Sequence, residues 1–191
     1  MRGENMESIN VNNSNIKRCI MIFPEFENVD LINNIRKKYD PLFEKVQGHI
    51  TLVFPFVSDI REEKLKDYLK NTLKEINSFK LVLQGVTKVE EEIGNFLFLN
   101  LKVGAKDVIK LHEKLYSEIL KEYRPEWLNR VQYVPHMTIG SFSNKEDLEK
   151  AYKDVVKLRN EFKIIVDKVS VEIIDKDENS IIEMEIKLKN T

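Results

Sequence analysis

Apolar positions along this chain fall into two rhythms, one of period two and one of period near 3.6, and they alternate in a regular order. The run Cys19-Ile20-Met21-Ile22-Phe23, closed by Pro24, predicts a short strand over residues 17–23. Leu31, Ile32 and Ile35 then recur at helical spacing from a cap at Asn28 or Asp30 to Tyr39. Asp40-Pro41 ends that helix, because the residue before a proline avoids the helical region. Residues 48–54 read as a strand and 61–76 as a helix with Leu65, Tyr68, Leu69, Leu73 and Ile76 on its stripe; residues 79–90 are extended. The second half repeats this order. Residues 95–102 form a strand that reads as buried on most of both faces, and 106–122 a helix with Val108, Leu111, Leu115 and Ile119 inward. Residues 134–141 are a strand, 145–159 a helix, and 162–174 extended, paired with 181–187 across a turn at 175–179.

Strand, helix, strand, helix, strand, twice over with one strand added, suggests two copies of one supersecondary unit. No Gly-, Pro- or Ser-rich linker divides them. The expected fold is therefore α+β. Two pseudo-symmetric lobes, each a mainly antiparallel sheet with helices packed outside, form a single bilobal domain over residues 16–191, with halves near 16–92 and 93–191. Residues 1–15, rich in Asn and Ser and without an apolar stretch, predict a flexible lead-in and not a secretory signal.

Composition narrows the class. With 191 residues, 42% hydrophobic and 33% charged, the chain suits an ordinary globular protein. A net charge of −1 argues against a protein that coats duplex DNA. No apolar stretch reaches membrane-spanning length. The single cysteine, Cys19, sits in an apolar run and reads as a buried structural thiol, so no internal disulfide forms; a cytoplasmic monomer is expected.

The chemistry lies in two short phrases. His49-Ile50-Thr51-Leu52 and His136-Met137-Thr138-Ile139 hold two of the three histidines, nearly half a chain apart. On a strand, residues i and i+2 share a face, so each phrase presents an imidazole beside a hydroxyl while Ile50/Leu52 and Met137/Ile139 anchor the other side. Strands at equivalent places in two related lobes would set the imidazoles across one central cleft. Neutral imidazole can take a proton from water or a hydroxyl, imidazolium can give one to a leaving oxygen, and the threonines can hold the non-bridging oxygens of a phosphodiester. That chemistry needs no cofactor, and no Cys, Asp or further His accompanies the phrases as a metal set.

The paired motifs, Gly48-His49-Ile50-Thr51-Leu52-Val53-Phe54 and Pro135-His136-Met137-Thr138-Ile139-Gly140, resemble those of the 2H phosphoesterase superfamily, which includes 2′-5′ RNA ligases and RNA 2′,3′-cyclic phosphodiesterases. The run Arg36-Lys37-Lys38-Tyr39-Asp40-Pro41 is similar to a bacterial subgroup of phosphoesterase-like proteins, and the resemblance extends from about Lys17 onward. It implies acid/base roles for His49 and His136 and phosphate contacts for Thr51 and Thr138. The implied reaction is hydrolysis of a 2′,3′-cyclic phosphate on a nucleotide or RNA end, with 2′-5′ ligation as its reverse. RNA-processing members often carry an arginine shortly after the second motif, where this chain has Gly140-Ser141-Phe142. The rival reading is a non-catalytic nucleotide-binding regulatory module using the same cleft.

Residues 123–133 precede the second motif. Here Trp127 or Tyr133 could stack a base and Arg130 could hold phosphate, or the aromatics could simply pin the loop. His112, in Leu111-His112-Glu113 and without a partner four residues on, reads as a surface or boundary histidine. Arg36-Lys37-Lys38 reads as a solvated helix end.

Overall fold

In a computed structural model, which describes residues 15–91 and 94–190, the elements follow the expected order. The predicted lead-in over residues 1–15 falls almost wholly outside the described residues. The strands are β1 (Ile16–Ile22), β2 (Ile50–Ser58), β3 (Phe79–Glu91), β4 (Gly94–Val103), β5 (His136–Phe142), β6 (Phe162–Val166), β7 (Lys168–Ile174) and β8 (Ser180–Lys187). The α-helices are α1 (Val29–Tyr39), α2 (Glu62–Leu73), α3 (Ala105–Leu115) and α4 (Lys145–Val155), and two 3₁₀ segments, Glu118–Tyr123 and Glu126–Asn129, precede β5.

Two four-stranded antiparallel sheets result, ordered β2-β1-β7-β8 and β5-β4-β3-β6. This is the anticipated α+β architecture, yet the sheets are not the two sequence halves. β3, from the first half, lies between β4 and β6 in the second sheet, while β7 and β8, from the second half, complete the first. The helices cross too: α1 packs on β5, and α3 packs on β2. Each His-x-Thr strand is thus an edge strand covered by a helix from the other half, and this exchange locks the lobes together.

Two expected segments are interrupted. The extended stretch 162–174 breaks at Asp167, where the chain leaves one sheet for the other; the Asp167 carbonyl is satisfied by the Leu188 N–H at 2.7 Å. The helix expected over 106–122 stops at Leu115 because the Tyr68 hydroxyl, 2.8 Å from the Leu115 and Ser117 carbonyls, takes up acceptors that another turn would use, and Glu118 turns to φ 43°. The core joins both sheets through residues such as Ile32, Leu65, Leu69, Leu83, Leu99, Leu111 and Phe162, none more than 1% exposed. Each large aliphatic side chain buried this way is worth about 1.5–3 kcal/mol.

Buried ion pairs brace the first sheet and its loops. Arg18 on β1 makes a two-pronged pair with Glu183 on β8 (2.6 and 2.7 Å) and donates to the Ile60 carbonyl at 2.9 Å. Arg36 is not part of a solvated helix end: it is 1% exposed, paired with Asp40 at 2.8 Å and bonded to the Val46 carbonyl at 2.8 Å. It holds the loop leading into β2. Lys38 pairs with Asp154 of α4.

Candidate active site

Edge strands β2 and β5 meet where the two sheets come together. Alternation works as the sequence predicts: Ile50, Leu52, Met137 and Ile139 are buried, whereas His49, Thr51, His136 and Thr138 are half-buried. Gly48 makes the close approach possible. A Cβ there would sit 3.1 Å from the Met137 sulfur on the opposing strand, a contact few side chains tolerate. Gly140 has a matching role on β5, where a Cβ would lie 3.1 Å from both Tyr39 of α1 and the Phe142 ring.

The two imidazoles are held alike. His49 Nδ1–H donates to the Gln47 carbonyl at 2.8 Å, and His136 Nδ1–H donates to the Val134 carbonyl at 2.7 Å. Each bond reaches back two residues, fixes the tautomer and leaves Nε2 as the basic nitrogen. Their flanks differ. His136 is stacked face to face on Phe98 of β4, with centroids 3.5 Å apart and planes at 16°, whereas His49 meets only the edge of Phe23 at 6.0 Å. Neither threonine hydroxyl is engaged by another described residue.

Burial is the main influence on both rings and pushes their proton affinities below the ordinary histidine value of 6.5. The bonds to Gln47 and Val134 act in the opposite direction. Arg36 and His136 add smaller downward effects on His49, and Asp40 opposes them, so the two motif histidines lie within electrostatic reach of one another. Burial thus favours the neutral form of both rings in the free protein.

Of the loop residues, Tyr133 is 8% exposed and stacks on His112 (3.8 Å, 5°), while its hydroxyl donates to the Thr51 carbonyl at 2.6 Å. Its face is taken, and it supports the backbone of the first motif from behind. Trp127 is 47% exposed and rests on Phe54 of β2 at 4.8 Å, which leaves it the loop's available ring. Arg130 is exposed at the end of the second 3₁₀ segment and makes no side-chain bond among the described residues. His112, expected near the surface, is fully buried: its Nδ1–H donates to the Leu52 carbonyl at 2.7 Å, and neighbouring Tyr116 accepts from the Phe54 N–H at 2.8 Å. Residues of α3 and the loop after it thus bond to the backbone of β2 in place of a further strand.

Sequence reading missed Phe98 and Glu172. Phe96 and Phe98 are only half-buried and point away from Leu97 and Leu99, so β4 has one core face and one open aromatic face. The strict alternation of residues 95–101 carried that signal. Glu172 lies in a cavity of about 220 Å³ lined also by His49 and Thr51, and no local pattern marks it.

Two antiparallel sheets whose edge strands carry matching His-x-Thr phrases define a bilobal phosphoesterase-type protein. The chain belongs to the 2′-5′ RNA ligase superfamily, whose family model matches residues 23–178. A protein of Geobacillus kaustophilus named "Putative phosphoesterase" is 34% identical over 126 residues, which span 65% of this chain and 69% of that protein. A protein of Bacillus licheniformis with the same description is 28% identical over 127 residues, spanning 65% and 70%. In fold, the chain is similar to E. coli LigT crystallised with ATP (TM-score 0.60, 16% identity, covering 92% of this chain and 99% of that one). LigT with 3′-AMP gives a TM-score of 0.60 at 13% identity, covering 91% and 98%. TT0787 of Thermus thermophilus is also similar (TM-score 0.58, 17% identity, covering 92% and 99%). Among the described residues, no helix is long and apolar enough to cross a membrane.

Proposed function

We propose that the cleft between β2 and β5 hydrolyses a cyclic phosphodiester, the 2′,3′-cyclic phosphate of a nucleotide or RNA end, without a metal, and that His49 and His136 are its catalytic acid and base. The carrying observation is the paired geometry: His136 opens edge strand β5 and His49 immediately precedes edge strand β2, each with Nδ1 tied to the carbonyl two residues back, leaving Nε2 of each for proton transfer. One Nε2 takes a proton from water as the water oxygen attacks phosphorus. The P–O bond to one ribose oxygen breaks, and the other imidazolium supplies the proton that oxygen needs, leaving a phosphate monoester. Thr51 and Thr138 donate to the non-bridging oxygens, where charge grows in the transition state. With a strand-terminal hydroxyl in place of water, the same steps give ligation.

Burial disfavours the charged form of both rings in the free protein, and the substrate helps to charge the acid. An anionic phosphodiester between the imidazoles raises the proton affinity of the one it faces, which couples binding to loading of the acid. E. coli LigT, crystallised with ATP and with 3′-AMP, supports a nucleotide as the occupant.

The test is turnover of a panel of 2′,3′-cyclic nucleotides in the presence of a chelator, followed across pH. Expected is hydrolysis with a bell-shaped dependence of kcat/KM. A rate flat from about pH 5 to 9 would contradict paired acid/base chemistry. Tight binding without turnover would assign the cleft to a nucleotide-binding regulatory module.

A further inference from the structure

Beside the first motif, the cleft-side face of the β2-β1-β7-β8 sheet carries polar groups that the proposed proton transfers do not use. Glu172 on β7 is 2% exposed, and only one of its oxygens is bonded, by the Ser180 hydroxyl of β8. No other described residue pairs with this carboxylate, and it lines the same cavity of about 220 Å³ as His49 and Thr51. Lys17 on β1, an exposed residue in no ion pair among the described residues, lines it as well, as does a second carboxylate, Glu178. Register places these groups together. Glu172 lies opposite Cys19, and Lys17, two residues before Cys19, shares its face. Met21, Leu42 and Val46 supply apolar walls.

Spacing and charge decide what fits. Thr51 pairs with Met21 of β1 and Glu172 with Cys19, so Glu172 stands two strands across and two residues along from Thr51, roughly 11–12 Å at ordinary strand spacing. A nucleotide hydrogen-bonded at both ends, its phosphate to the threonine and its base edge to the carboxylate, spans about that distance. A carboxylate repels phosphate, so the part of a ligand lying against Glu172 must be uncharged and rich in donors. An acceptor must sit beside those donors to meet the Lys17 ammonium. Among the four bases, guanine offers two adjacent N–H donors, N1–H and N2–H, next to the O6 acceptor. Adenine, cytosine and uracil each offer a single donor position on that edge.

We infer that this cavity is a guanine pocket, with Glu172 accepting from N1–H and N2–H, Lys17 donating to O6, and Met21, Leu42 and Val46 enclosing the ring. The inference rests on the cleft being a nucleotide site. It makes guanosine the preferred 3′-terminal nucleoside of the substrate. Ser180 holds the carboxylate so that the edge it presents is fixed before the base arrives.

Calorimetric titration with guanosine, adenosine, cytidine and uridine 3′-monophosphates tests this without requiring turnover. Guanosine monophosphate should bind at least ~10-fold more tightly than the other three, because a site built for its donors leaves a buried carboxylate unpaired with the others. Glu172→Gln, nearly isosteric, should remove that preference while leaving affinity for the other three within about two-fold, and Lys17→Met, at an exposed position, should reduce it in part. His49→Ala should keep it. A trinucleotide ending in guanosine 3′-phosphate that binds as well as the mononucleotide assigns the pocket to an RNA end; binding of the mononucleotide alone assigns it to free nucleotide. Equal affinity for all four bases, or a guanosine preference untouched in both Glu172→Gln and Lys17→Met, would overturn the inference. An enzyme active on all four cyclic nucleotides at equal kcat/KM would discard the pocket and keep the catalytic reading. An inert protein that still prefers guanosine would do the reverse.

Discussion

At the scale of single residues, the fold spends its most specific bonds on aiming two imidazoles. The Gln47 and Val134 carbonyls orient His49 and His136, and burial lowers the proton affinity of both. The same burial has a consequence for stability. His49, His112 and His136 all bind protons less readily in the folded chain than at their ordinary value of 6.5, so the unfolded chain takes up protons first as the solution is acidified. Their contribution to stability is complete above that value and is lost as pH falls through the depressed folded values. Denaturant melts between pH 8 and 5 should show a falling midpoint, and the acid-side loss should shrink in His112→Asn, which keeps a donor for the Leu52 carbonyl but cannot charge. An unchanged acid-side slope in that variant would show that His112 does not contribute. The site's two histidine-threonine phrases were legible in sequence because period-two alternation says which side chains share a face. The burial of His112 was misread as surface, although it stands four residues after Val108 on the same stripe as Leu111 and Leu115, all of which are buried. Glu172 was not legible, because one carboxylate among 32 acidic residues acquires meaning only when β7 is laid beside β1.

At the scale of elements, β2 is the informative strand. One side pairs with β1, while Tyr133, His112 and Tyr116 bond to the Thr51 and Leu52 carbonyls and the Phe54 N–H. The edge strand carrying the first motif's threonine is thereby stiffened without a further strand that would close the cleft. Tyr133→Phe leaves the Thr51 carbonyl without its partner at 2.6 Å and should lower stability by about 1 kcal/mol. It should also reduce kcat several-fold with little change in KM, because the motif backbone loosens while the cleft's contact surfaces remain; equal kcat for Tyr133→Phe and the parent would remove Tyr133 from the positioning of Thr51. Element order, and most boundaries, could be read from the spacing of apolar residues. The early end of α3 could not, since it depends on the Tyr68 hydroxyl reaching carbonyls more than forty residues away in the chain.

At the scale of the whole molecule, the two sequence repeats are interlocked and not laid side by side. β3 crosses into the second sheet, β7 and β8 into the first, and α1 and α3 each cover the opposite half's motif strand. Sequence patterning cannot show such an exchange, because apolar alternation is the same whichever sheet a strand joins. The exchange makes the ties between distant segments important, and the Arg18–Glu183 pair links β1 to β8. Glu183→Ala leaves the Arg18 guanidinium buried and unpaired and should cost about 3–5 kcal/mol in urea unfolding; a loss below about 1 kcal/mol would mean that the pair behaves as a surface one. The joined lobes exist to bring two edge strands together, and the central claim is that their histidines act as one catalytic pair. The most direct measurement is the rate of 2′,3′-cyclic nucleotide hydrolysis under chelator by the parent protein, His49→Ala and His136→Ala, with folding checked by thermal melts. The account predicts turnover by the parent and a loss of about 10²–10⁴-fold or more in each variant, since each removes one positioned proton-transfer group. A folded variant of either kind that retains the parent's rate would contradict it.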